Sequence, residues 1–240
     1  MINIKKITKK QLLNGMNLAL KNARKLLKEA KLLVENKAYS RAFVLGVLAL
    51  EEAGKVVFLT LCYHDDRFSL SKEATRKFIK LFSSHSAKIA FFEDWYASKW
   101  KSFLYVRKRK HDYETYEFYK KKVEPVHKAF LKLYDYVLKK MKLSSVSELK
   151  LKCLYVDTTK EGLNFKMPCQ PPLKVIKSLL LLAKSHIIDA GKLRDTFRRA
   201  RTAEISEHVY MTMFKHFDLQ RTLEEIKKFE TFKKHKTVSC

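Results

Sequence analysis

Apolar residues return every three or four positions across residues 8–36. Leu12, Leu13, Met16, Leu20, Ala23, Leu27, Ala30 and Leu33 form the stripe, and lysines fill the opposite face. That period predicts an amphipathic helix. Asn36 and Lys37 read as a short turn. Across residues 38–63 the polar face disappears. Between Ala42 and Leu59 only Glu51, Glu52 and Lys55 carry charge. A helix apolar on every side is a buried one. A short connection favours antiparallel neighbours, so these two helices are expected to form a hairpin.

Further along, Ser71 reads as the cap of a helix that ends near Leu81. Ser83 and Ser84 break it, and another helix runs across residues 85–105 on a stripe of Ile89, Phe92, Trp95 and Tyr96. Residues 113–141 form one more long helix, with a bend expected at Pro125, because proline removes a helical N–H. Residues 150–167 alternate, with Lys160-Glu161-Gly162 as a turn. Cys153 to Asp157 and Leu163 to Phe165 predict a small extended hairpin near 152–166. Pro171 and Pro172 open a final long helix. A shorter pair of helices follows Arg201 and ends in a basic tail. The fold class is all-α: an antiparallel helical bundle over residues 8–201, then a C-terminal helical extension over residues 202–240.

Composition agrees with this reading. Five glycines and four prolines in 240 residues suit long helices. A hydrophobic content of 46% argues against global disorder. Charge adds something new. The 51 Lys+Arg against 25 Asp+Glu leave a formal charge of +26, which points to a polyanionic partner, nucleic acid first and an anionic membrane surface second. Cys62, Cys153, Cys169 and Cys240 never fall at CxxC spacing, so zinc-finger and thioredoxin chemistry are not expected. They read as ordinary thiols of a cytoplasmic protein. The charges at 51–55 interrupt the one long apolar run, so no membrane span is expected. No nucleotide-binding glycine loop and no metal motif occurs, and no cofactor is expected.

Four groups of residues carry candidate chemistry. Glu51, Glu52 and Lys55 lie within helical reach of one another inside the most apolar segment. Buried charges need partners. Read structurally, the three set helix register; read functionally, they line a polar site between helices. His85 and Lys88 share a helix face at i,i+3 and gain meaning if they meet the glutamates, since histidine titrates near neutrality. Arg107, Lys108, Arg109 and Lys110, followed by Tyr113, Tyr116 and Tyr119, suit phosphate contacts and base stacking; otherwise they form a solvated loop. Arg201 and His208 are separated by six residues, the spacing of the R-x4–6-H signature of HEPN ribonucleases, and form an alternative catalytic pair.

Ala49-Leu50-Glu51-Glu52-Ala53-Gly54-Lys55, His85-x-x-Lys88 and Leu154-Tyr155-Val156-Asp157 occur in that order. Together they resemble the AbiV family of abortive-infection proteins, across roughly residues 12–201. The resemblance implies a HEPN-like helical bundle in a phage-defence protein that is linked to shutdown of translation and to activation by a phage-encoded protein. Many HEPN relatives are dimeric, metal-independent ribonucleases, so it also implies a homodimer whose partner is RNA or the ribosome. No R-x4–6-H pair lies inside the matched stretch. The expectation is therefore an effector that binds RNA, with two outcomes open: an endoribonuclease, or a non-catalytic RNA- or ribosome-binding module that blocks translation. Glu51, Glu52, Lys55, His85 and Lys88 would form its central site.

Overall fold

The computed structural model describes residues 7–64, 82, 88–89, 113–142, 145–155, 157–158 and 165–199. The first helix, α1, spans Lys9–Glu35. Thr8 caps it through a capping box with Gln11, which satisfies donors that a bare helix start would leave open. Lys37 takes a positive φ of 59° in the turn and reverses the chain into α2, Tyr39–His64. The expected hairpin is present, and α1 packs along α2. The predicted bounds differ from these by one residue at either end.

Helix α3 spans Tyr113–Tyr134 and runs through Pro125. It leads into a π-helical turn, Asp135–Lys140. The single helix predicted over residues 113–141 therefore changes its hydrogen-bond register at Asp135. Ser145 then caps α4, Val146–Leu154, by accepting the Glu148 N–H at 3.2 Å.

This helix corrects one expectation. Cys153 and Leu154 were expected to open an extended hairpin, yet they belong to α4. Val146, Leu149, Lys150 and Cys153 are its buried residues. They recur at three- and four-residue spacing, a helical period that a scan for alternation misreads. The predicted hairpin shrinks to two short strands, β1 (Asp157–Thr158) and β2 (Phe165–Lys166). They pair antiparallel, with Asp157 opposite Lys166 and Thr158 opposite Phe165.

After Pro171 and Pro172 comes α5, Leu173–Arg199. The Pro172 carbonyl accepts from the Val175 and Ile176 N–H groups, the role of a residue just outside a helix start.

Helix α2 is the centre of the bundle, with α1, α4 and α5 packed against it. Phe43, Val47, Leu50, Val56 and Phe58 of α2 meet Leu20 and Ala23 of α1 and Ile176, Leu179 and Leu182 of α5 in one continuous core. At Gly46 the approach of α5 is close: a Cβ there would lie 2.9 Å from Leu179 Cδ2. The all-α fold class stands, and the apolar second helix is the buried one, as its pattern requires.

Candidate functional site

The C-terminal half of α2 carries charge into this core. Glu51 is 2% exposed, so its carboxylate needs a partner. The partner is Lys150 of α4, whose Nζ donates to Glu51 Oε1 at 2.6 Å. Both side chains are buried. Glu52, next along the helix, points to a more open side and accepts from Lys55 Nζ one turn later. Lys55 also lies over the Phe82 ring, 5.1 Å from its centroid, a cation–π contact.

Lys88 is the third cation. It is helical and 5% exposed. Burial pulls its ammonium below the ordinary lysine range. The Glu51 carboxylate opposes that shift most strongly, Lys55 reinforces it, Glu52 opposes it, and Lys150 reinforces it again. None of the ion pairs among the described residues includes Lys88.

Backbone contact fixes its place. A Cβ at Gly54 would stand 2.5 Å from the Lys88 carbonyl oxygen. Only a residue without a side chain lets α2 touch the backbone at Lys88, so Gly54 is a packing requirement of the cluster.

Two carboxylates and three ammonium groups therefore meet where α2, α4 and Lys88 come together. Each glutamate has its own lysine. Among the described residues, Lys88 has no direct carboxylate partner. Such an arrangement can stabilise negative charge on an incoming oxyanion. A carboxylate on its open side can accept a proton.

Of the residues expected at the site, Glu51, Glu52, Lys55 and Lys88 are gathered in one cluster. His85, the basic run Arg107, Lys108, Arg109 and Lys110, and the pair Arg201 and His208 lie outside the described residues. Lys150 was missed. Its signal is present in the sequence, because a lysine sits on the 146–149–150–153 helical stripe and lysine is rarely buried unpaired.

A segment of backbone locks α4 in place. The Cys169 N–H donates to the Lys152 carbonyl at 2.8 Å, and Ser40 Oγ donates to the Cys169 carbonyl at 2.8 Å. The helix that brings Lys150 is thus tied to the start of α2. Cys153 and Cys169 are thiols. Burial, then Cys169, pushes the Cys153 thiol up. The same two causes push Tyr136 up to about 12.

The HEPN-type family model for AbiV matches residues 11–181. The chain belongs to the AbiV family. That match spans α1, α2, α3, α4 and the start of α5, and so includes every residue of the polar cluster described above. Membership points to a role in abortive infection. No curated protein and no solved structure matches the chain significantly. Among the described residues, no helix is long and apolar enough to cross a membrane, and no group of three His, Cys, Asp or Glu side chains is placed to hold a metal ion.

Proposed function

We propose that this AbiV protein is an abortive-infection effector that binds RNA at the Glu51, Glu52, Lys55, Lys88 and Lys150 cluster and thereby halts translation. The observation that carries this reading is Lys88, a buried lysine among two carboxylates that each already have a lysine. An ammonium group in that position suits a phosphate. The formal charge of +26 supplies the long-range attraction that nucleic-acid binding needs.

If the site cleaves, Glu52 is the base. It lies on the more open side, whereas Glu51 is engaged by Lys150 in the interior. Glu52 would take the proton of a ribose 2′-hydroxyl. The 2′-oxygen would attack phosphorus, and the 5′-oxygen would leave with a proton from solvent, giving a 2′,3′-cyclic phosphate and a 5′-hydroxyl. Lys88 would stabilise charge on the pentavalent phosphorus. One feature favours the non-catalytic reading: both carboxylates start in ion pairs, and a general base must first be released from its lysine.

Incubating purified protein with total RNA in EDTA decides between them. Cleavage selects the ribonuclease; binding without cleavage selects the module; absence of both overturns the RNA reading. Arg107, Lys108, Arg109 and Lys110, a run of four cations in the sequence, add phosphate contacts to RNA binding. Replacing all four with glutamine should flatten the salt dependence of RNA binding, by about 0.7–0.9 log units of affinity per log unit of salt for each phosphate the run neutralises. An unchanged slope removes the run from the interface.

A further inference from the structure

We infer that Cys153 and Cys169 form a thiol modification site: a low-molecular-weight disulfide oxidises them to an internal disulfide that fastens α4 to the segment before α5. The site is separate from the polar cluster and stands whether or not the chain binds RNA.

Three elements build it. Cys153 lies in the last turn of α4 and is buried. Cys169 belongs to the segment that leads to α5 and is partly exposed. Its N–H donates to the Lys152 carbonyl at 2.8 Å, which sets the backbone of Cys169 beside that of Cys153. The two thiols are in hydrogen-bond contact, and the Tyr136 hydroxyl, from the π-helical turn, bonds Cys169 as well. A disulfide needs side chains that converge from neighbouring backbone positions, and these two do. Ser40 Oγ donates to the Cys169 carbonyl at 2.8 Å and so holds the second thiol in place. Among the described residues, no third His, Cys, Asp or Glu joins the pair to hold a metal ion. Packing explains a small buried side chain at Cys153; it asks for no second, more accessible thiol fixed against it.

The accessible Cys169 meets the oxidant first. Its thiolate attacks one sulfur of oxidised glutathione, and the S–S bond of the oxidant breaks. One glutathione leaves and takes up the proton that Cys169 released. The product is a mixed disulfide at Cys169. Cys153 then gives up its proton and attacks the Cys169 sulfur, and the second glutathione leaves with that proton. Two cysteine thiols are oxidised, and one glutathione disulfide is reduced to two thiols. Burial, then Cys169, pushes the Cys153 thiol up. Burial persists in the mixed disulfide, so the second step is the slow one near neutrality. The oxidised link holds α4, the helix that brings Lys150 to Glu51, by a covalent bond where a hydrogen bond held it before.

The experiment uses the full chain, reduced and freed of reductant. The folded protein is incubated with oxidised glutathione, quenched with acid, alkylated in denaturant and digested with trypsin. The expected product is the peptide of residues 153–160 joined to that of residues 167–174, and dithiothreitol should part them. Cys153→Ser should stop at the glutathione adduct on Cys169, and Cys169→Ser should leave Cys153 unmodified. Linkage should quicken about tenfold per pH unit above neutrality, as the thiolate fraction of Cys153 grows. The linked chain should melt about 5–10 °C above the reduced one.

If both cysteines are still alkylated after the incubation, the site is overturned. A glutathione adduct on Cys169 of the natural chain that never resolves overturns it too, as does linkage that runs as fast in the urea-unfolded chain as in the folded one. An unchanged melting temperature in the linked chain overturns the fastening of α4. If either serine variant does not fold, the peptide map of the natural chain, folded against unfolded, decides.

Discussion

Gly46 and Gly54 lie on the same helix, and a methyl group at either would collide with a neighbour. The neighbours differ. At Gly46 they are the ends of Leu179 and Leu180 side chains; at Gly54 it is the carbonyl oxygen of Lys88. The N-terminal half of α2 packs through side chains that can re-pack. The C-terminal half docks on backbone and on charge, and neither yields easily. The two ion pairs of that half repeat the lesson. Glu51–Lys150 joins two helices and is fully buried, whereas Glu52–Lys55 is local, one turn of α2, and partly open. Burial and reach, more than the presence of a salt bridge, separate what holds the fold from what remains available for chemistry.

The largest break in this contrast should come from Glu51→Gln. It removes the carboxylate that Lys150 holds across a buried helix–helix contact, and a loss of about 3–5 kcal/mol is expected in chemical denaturation. A loss below about 1 kcal/mol would mean that water reaches the pair. Gly54→Ala comes next. The new methyl meets a carbonyl that cannot rotate away, so a loss of about 1–3 kcal/mol is expected, with α2 pushed off the Lys88 backbone. Gly46→Ala is its control. Leucine side chains can shift, and alanine gains about 1 kcal/mol of helix propensity over glycine. Stability close to the natural chain is expected there, and equal losses at the two glycines would erase the comparison. Glu52→Gln should cost only about 0.5–1 kcal/mol, because its pair is partly solvated. If the site acts on RNA, Glu52→Gln should also abolish growth arrest on expression while folded protein still accumulates; full toxicity would take Glu52 out of the site.

The smallest effect is a pH dependence. Lys88 is held below its ordinary value of 10.5, so the unfolded chain binds its proton more tightly than the folded one. Below the lowered value both states are charged and the full cost of burying the ammonium is present. As pH rises from there towards 10.5 the folded state sheds the proton first, and the cost is relieved. Other lysines titrate in the same window. The measurement is therefore the stability difference between Lys88→Met and the natural chain, which should favour the variant near neutrality and shrink as pH rises. A constant gap would mean that Lys88 does not titrate in that window.

The long periodic elements were legible in the sequence because a single pattern dictates each. The stripe of α1, its Thr8 cap and the all-round apolar α2 each follow from local residues. Glu51, Glu52 and Lys55 stood out because charge is anomalous in an apolar run, and Lys88 because it shares a helix face with His85 at i,i+3. Lys150 did not stand out. Among so many lysines one more is unremarkable, and its meaning comes from a contact between residues 99 positions apart. Cys153 and Leu154 were misread for a related reason. Their short apolar run alternates well enough to resemble a strand, and the Ser145 cap that makes them helical lies upstream of it.

That separation also orders events during synthesis. Domains begin to fold from the N-terminus as the chain emerges. Helices α1 and α2 can pair early, yet Glu51 has no Lys150 to meet until α4 has left the ribosome. Until then the pair between α2 and α4 cannot form, and the charge arrangement around Lys88 lacks Lys150. For a member of an abortive-infection family, the delay means that a nascent or truncated chain ending before α4 carries the motif but not the assembled cluster.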